Sequence, residues 1–203
     1  MIDKICLFFL EKIKKEIPDM DDERAEVILY GLQILIGEIP KMFIIFGIAY
    51  LLGVLKLTVI SVLLIIPYRN FSGGFHLQTH IGCTVTTILM YCGVALIGKY
   101  LVIANNVKII LAFCVWLFGM LMVKLYAPAD TENVPILSEK QRRKNKILSY
   151  ITLSLGMALS LIIKVPEIST ILIFGNLVQS ITITKFAYKL TKCKYGYRAY
   201  QNA

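Results

Sequence analysis

The chain has 203 residues, of which 57% are hydrophobic and 17% charged, with a formal net charge of +9. Soluble domains lie nearer ~45–50% apolar and ~25% charged, and a disordered chain needs low hydrophobicity. Because the apolar residues fall in long blocks, the composition excludes disorder, argues against a soluble domain, and points to a small polytopic α-helical membrane protein.

Residues 1–26 come first. Ile2, Ile5, Leu7–Leu10, Ile13 and Ile17 interleave with Lys12, Lys14 and Lys15, which predicts an amphipathic helix lying in the membrane interface. Charges follow after only a few apolar residues, with no small-residue cleavage pattern, so a cleaved signal peptide is not expected. The region Val27–Tyr68 is less regular: Glu38-Ile-Pro-Lys41, then Met42–Leu55, Lys56 and Leu57–Tyr68. The two pieces after Pro40 reach only ~21 and ~18 Å, short of a ~30 Å hydrocarbon core. Either the first continues back through a kink at Pro40, or the two form a partly inserted hairpin. Both readings return the chain to its starting side. Four further blocks, Ile81–Gly98, Lys108–Tyr126, Ile147–Ile163 and Ile168–Tyr188, are long enough to span or nearly so.

The expected fold is therefore all-α: one integral membrane domain over residues 1–203. It has about six hydrophobic helical segments within 27–188, the amphipathic N-terminal helix, and a basic tail over 189–203. No repeat is visible, and the broken region lies only in the first half, unlike an inverted-repeat transporter.

Lys and Arg set the orientation. They cluster in residues 1–24, in the loop KQRRKNK (Lys140–Lys146), and in Lys185–Arg198. Counting crossings puts these clusters, both termini and residues 69–80 in the cytoplasm of a plasma membrane. Contact with lipid headgroups is their default use; attraction of an acidic peptide is the second. Nucleic acid is not an expected partner, since no basic stretch is interleaved with stacking aromatics in a soluble fold. Cys6, Cys83, Cys92, Cys114 and Cys193 are odd in number and lack a CxxC pair, so neither a disulfide framework nor a structural zinc site is expected.

The segment Pro67–Cys83, PYRNFSGGFHLQTHIGC, holds both histidines of the chain, with a cysteine at the start of a spanning block. Three readings compete. In the first, Gly73-Gly74 makes a turn, the histidines sit in a wet loop and Cys83 is an ordinary thiol. In the second, His76, His80 and Cys83 share one helix face at i, i+4, i+7 and bind zinc. No acid lies nearby as a general base, and Gly82 weakens that helix. In the third, Cys83 is a nucleophile with a histidine base. An imidazole and a helix N-terminus both raise a thiolate fraction. His80 lies at i−3 of Cys83; His76 reaches the thiol only from a loop that folds back, which the glycines permit. Spacing alone does not choose between them. Backbone amides near Gly74 or before Cys83 are candidates to hold an oxyanion. Arg69 is either a snorkelling interface residue or a carboxylate contact, and Asp130 either orients a histidine or caps a helix. Glu38 and Gln179, polar groups in apolar blocks, are expected to hydrogen-bond between helices.

RNFSGGFH with Cys83 seven residues on, followed by YAPADTENVPI (Tyr126–Ile136), resembles the accessory gene regulator B (AgrB) family. The likeness covers nearly the whole chain. It implies a membrane cysteine endopeptidase, with no cofactor, that removes the C-terminal part of a quorum-sensing pro-peptide of the AgrD kind. An acyl-enzyme thioester then closes into a thiolactone. It implies His76 and Cys83, rather than His80, as the dyad, with Arg69, Gly73 and Gly74 as supporting or substrate-binding positions, and a homodimer as a plausible assembly. The alternatives kept beside it are a zinc peptidase built on His76, His80 and Cys83, and a non-enzymatic small exporter.

Overall fold

Lipid offers no water to backbone N–H and C=O groups, so apolar blocks of this length satisfy their own backbone as helices. The computed structural model describes residues 2–17, 21–77, 79–131, 135–136 and 138–196. Among these it is all-helical, with an isolated bridge between Gly73 and Ala129. Residues 1–48 and 49–203 form two compact units.

The first unit holds α1 (Ile2–Glu16), α2 (Asp22–Gln33), a π-helical turn over Ile34–Glu38, and most of α3 (Ile39–Leu51). In α1, Cys6 and Leu10 are buried while Leu7, Phe8 and Phe9 are exposed, and Lys12 Nζ lies 4.9 Å from the centre of the Phe8 ring. The chain is helical without a break from Asp22 to Leu51, the first of the two arrangements considered for this region. Pro40 has no N–H and crowds the carbonyl four residues earlier. A wider π turn just before it takes up that mismatch. The side chain of Glu38 lies outside the described residues.

The second unit is a bundle: α4 (Leu55–Ser72), α5 (His80–Tyr100), α6 (Asn105–Tyr126), α7 (Glu139–Ile162) and α8 (Pro166–Thr182), followed by the short α9 (Lys185–Leu190). Among the described residues, α4 to α7 are long and apolar enough to cross a membrane. The 17 residues of α8 reach ~25 Å.

Three boundaries differ from the sequence reading. α4 has 18 residues, ~27 Å, where a piece of ~18 Å was expected. Lys56 sits exposed in its first turn, so the charge stays at the helix end. Pro67 removes only one donor. The basic run 140–146 is not a loop but the opening turns of α7, capped by Ser138, whose hydroxyl accepts from the Gln141 amide; Lys, Arg and Gln are strong helix formers. The last block stops at Thr182, because Thr184 accepts from the Ala187 amide and caps a new helix.

Packing follows membrane rules. Leu63, Leu89, Ile110, Phe113, Ile151 and Leu155 face outward, while Ser61, Ser149, Ser160, Ser169, Asn176 and Ser180 are buried between helices. Lipid tails give apolar side chains no reason to hide, so small and polar residues make the helix contacts. α8 lies at the centre, packed against α4, α5, α6 and α7. At Gly175 a Cβ would stand 2.4 Å from Ile65 Cδ1, so α8 approaches α4 there as only glycine allows.

Gly175→Ala is therefore expected to destabilise the bundle by about 1–3 kcal/mol through overpacking. Ile65→Val, which removes the clashing methyl, should restore part of the loss when combined with it. Thermal unfolding of the three variants in lipid nanodiscs checks this.

Candidate functional site

The C-terminal ends of α4, α6 and α8 meet the N-terminal ends of α5 and α7 at one end of the bundle. Here α4 runs out at Ser72. Gly73 closes it with its amide on the Arg69 carbonyl, at φ 73 and ψ −148. Gly74 follows at φ 142. Both are conformations that L side chains rarely adopt. The Gly74 amide donates to Ala129 O (2.9 Å), the Ala129 amide to Ser72 O (2.8 Å), and the Phe75 amide to Thr182 O (3.3 Å). The loop is thus tied to the 127–131 segment and to the end of α8.

This folding-back delivers His76. Thr79 caps α5 by accepting from the Gly82 amide, and Cys83 is the fourth residue of that helix. His76 Nδ1 lies 3.5 Å from Cys83 Sγ, a hydrogen-bond distance for sulfur, with the ring exposed and the cysteine half-buried. The thiol stands in the opening turn of α5, where the partial positive charge of the helix resides. His76 lies outside α5, so the one-face i, i+4, i+7 arrangement required by the zinc reading does not form. The side chain of His80 lies outside the described residues.

The other expected residues are placed as follows. Arg69 turns inward: Nη1 donates to Gln179 Oε1 (3.2 Å) and Nη2 to the Phe75 carbonyl (3.4 Å). Gln179 makes the interhelical bonds expected of it, its Nε2 donating to Ser72 Oγ (2.9 Å) and Gly73 O (2.8 Å). Gly73 has no room for a side chain, since a Cβ would stand 2.2 Å from Ala129 O; at Gly74 it would stand 2.8 Å from Thr182 Oγ1. The amides proposed for an oxyanion are engaged elsewhere: that of Gly74 by Ala129, that of Gly82 by the Thr79 hydroxyl and that of Cys83 by the Thr79 carbonyl.

Asp130 closes its loop. Its Oδ2 accepts from Arg142 Nη1 (2.9 Å) and the Ile136 amide (3.0 Å). Arg142 also donates to the carbonyls of Ile136 and Pro128. The Asp130 side chain is 1% exposed and that of Arg142 22%, which makes the carboxylate the more costly partner to strand. Buried Tyr188 donates to the carbonyls of Ala129 (2.9 Å) and Asp130 (3.0 Å) and stacks on Tyr195 at 4.0 Å. Burial, with Tyr195, Asp130 and Cys193 adding to it, holds the Tyr188 phenol well above its usual range, so it remains a donor.

Two participants escaped the sequence reading. Cys193, which the sequence reading gave no role, donates to the His76 carbonyl at 2.7 Å. Tyr188 anchors the loop that Gly73 leans on. Each acts across more than 50 residues of chain, and no local spacing signals such a pairing.

The family model described as Accessory gene regulator B matches residues 8–183. An AgrB-like protein of Listeria innocua is 33% identical over 183 residues, covering 89% of this chain and 88% of its own length. One from Listeria monocytogenes is 31% identical over 185 residues, with coverage of 89% and 88%. Another from Clostridium acetobutylicum is 32% identical over 165 residues, covering 81% and 77%. No solved structure matches the chain.

Two outcomes follow from the geometry. Gly73→Ala should lower the unfolding midpoint more than Gly74→Ala, because the first meets a backbone carbonyl and the second a side chain that can turn away. Arg142→Leu should cost about 3 kcal/mol by stranding a buried carboxylate, and Asp130→Leu less. Unfolding midpoints in nanodiscs rank all four.

Proposed function

The chain belongs to the accessory gene regulator B (AgrB) family of peptide quorum sensing, and from that premise we propose that it is a membrane cysteine endopeptidase with Cys83 as nucleophile and His76 as base. The observation that carries this reading is the 3.5 Å contact between Cys83 Sγ and His76 Nδ1. It is formed by a loop that the fold holds from three sides.

The imidazole takes the thiol proton while the sulfur attacks the scissile carbonyl of the pro-peptide. The tetrahedral intermediate collapses, the same proton goes to the leaving amine, and the C-terminal fragment departs. The N-terminal part stays as a thioester on Cys83. A cysteine within that peptide then attacks the thioester, closes a thiolactone and returns the proton to the enzyme thiol. Exchange of one thioester for another is close to energy-neutral, so the ring-closing step itself needs no ATP. The competing reaction is hydrolysis, which a site at the end of an apolar bundle restricts by limiting water.

The substrate is an amphipathic pro-peptide of the AgrD kind with an acidic C-terminal part. The exposed Lys140, Arg143 and Lys144 on the first turns of α7, and Lys185 and Lys189 of α9, lie at the same end of the bundle as the dyad. By the positive-inside rule that end is cytoplasmic, and its charge attracts the acidic segment.

Purified protein in lipid, incubated with its pro-peptide, should give cleavage and an acyl adduct on Cys83 detectable by mass. Cys83→Ser should give no adduct, and His76→Ala should slow its formation by about 10²–10⁴-fold. A metallopeptidase would instead be stopped by chelators and be as sensitive at His80 as at His76. An exporter would keep its activity in Cys83→Ser. Added salt should weaken pro-peptide binding; salt-insensitive binding leaves the basic residues a topological role only.

A further inference from the structure

Gln179 is fully buried in the last full turn of α8, and the proposed chemistry gives it no task. A primary amide has two N–H donors and one acceptor oxygen. Here the Nε2 group donates to Ser72 Oγ at 2.9 Å and Gly73 O at 2.8 Å, while Oε1 accepts from Arg69 Nη1 at 3.2 Å. The orientation is forced. Turned over, the amide would set its oxygen against Gly73 O and its NH2 against a guanidinium.

These bonds are not needed to end α4, since the Gly73 amide on Arg69 O already closes that helix. What they add is the direction in which the chain leaves. The Gly73 carbonyl is pinned by Gln179. The guanidinium that Gln179 holds reaches the Phe75 carbonyl at 3.4 Å, one residue before His76. Three residues further along α8, Thr182 takes the Phe75 amide on its carbonyl at 3.3 Å. The last turn of α8 is therefore the floor on which the Gly73–His76 loop is set.

We infer that Gln179 is a positioning residue for His76: by fixing the Gly73 carbonyl and the Arg69 guanidinium it holds the loop where the imidazole meets the Cys83 thiol. The inference rests on the peptidase reading and deepens it. Gln179 touches neither reacting atom and acts through the loop.

The test reads the thiol directly. Full-length protein in nanodiscs is alkylated with iodoacetamide between about pH 6 and about pH 10, and modification of the Cys83 peptide is followed by mass. If His76 activates Cys83, the parent chain reacts faster than His76→Ala near neutrality and equally fast at about pH 10, where a thiol ionises unaided. Gln179→Met, of similar shape, is expected to lose about tenfold of that neutral-pH advantage and to keep its alkaline rate. Its kcat for pro-peptide cleavage should fall in step, with KM within about twofold. Gln179→Glu retains an acceptor for Arg69 but has no donor for Gly73, and should fall between. A residue that merely stabilised the bundle would lower the unfolding midpoint without changing this pH profile. A profile in Gln179→Met equal to the parent's overturns the inference. Should that variant not fold, Gln179→Glu decides the matter in the same way. Should the parent and His76→Ala share one profile, the dyad itself falls, and the role of Gln179 with it.

Discussion

In lipid a helix can end only where its last carbonyls and the amides that follow find partners. That constraint shapes the working end of this bundle. α4 and α8 finish side by side, and each supplies what the other lacks. Gln179 of α8 satisfies the carbonyl of Gly73 just past α4, while the Phe75 amide beyond α4 satisfies the terminal Thr182 carbonyl of α8. Gly73, Gly74 and Phe75 are all held by such bonds. The position of His76 is a consequence of them.

The same economy extends to the 127–136 segment. Ala129 gives its carbonyl and its amide to the glycine loop, and Tyr188 and the Asp130–Arg142 pair hold Ala129 in place from behind. Three chain segments far apart in sequence thus converge on two glycines whose backbone lies within reach of carbonyl and hydroxyl oxygens. Glycine is required here by contact as well as by φ. The backbone of Gly73–Phe75 is held by defined hydrogen bonds, while the His76 ring remains exposed.

The chemical consequence is a division of labour along the membrane normal. Large apolar side chains face lipid over the middle of the bundle, and polar contacts between helices specify how it packs. Arg69 and Gln179 sit where the ends of α4 and α8 meet, and the guanidinium is held there by defined partners. Arg69 turns its guanidinium inward, onto Gln179 and the Phe75 carbonyl.

Much was legible in the residues. Composition and block length give helices because the bilayer leaves the backbone no other solution, and GGxH followed by Cys83 at a helix start narrows the chemistry to a few classes. Boundaries were less legible: KQRRKNK reads as a loop by charge, yet it is helical once Ser138 caps it, and α4 begins at Leu55, before Lys56, and runs past Tyr68 to Ser72, where Gly73 closes it. Which histidine faces Cys83 was open by spacing, since His80 is nearer along the chain and His76 reaches the thiol only by leaving the helix. The approach of His76 to Cys83 belonged to the tertiary structure. The partners that bend the loop back, Ala129, Gln179, Thr182 and Cys193, are 50 to 120 residues away, and hydrogen bonds across such separations leave no periodicity for a sequence to display.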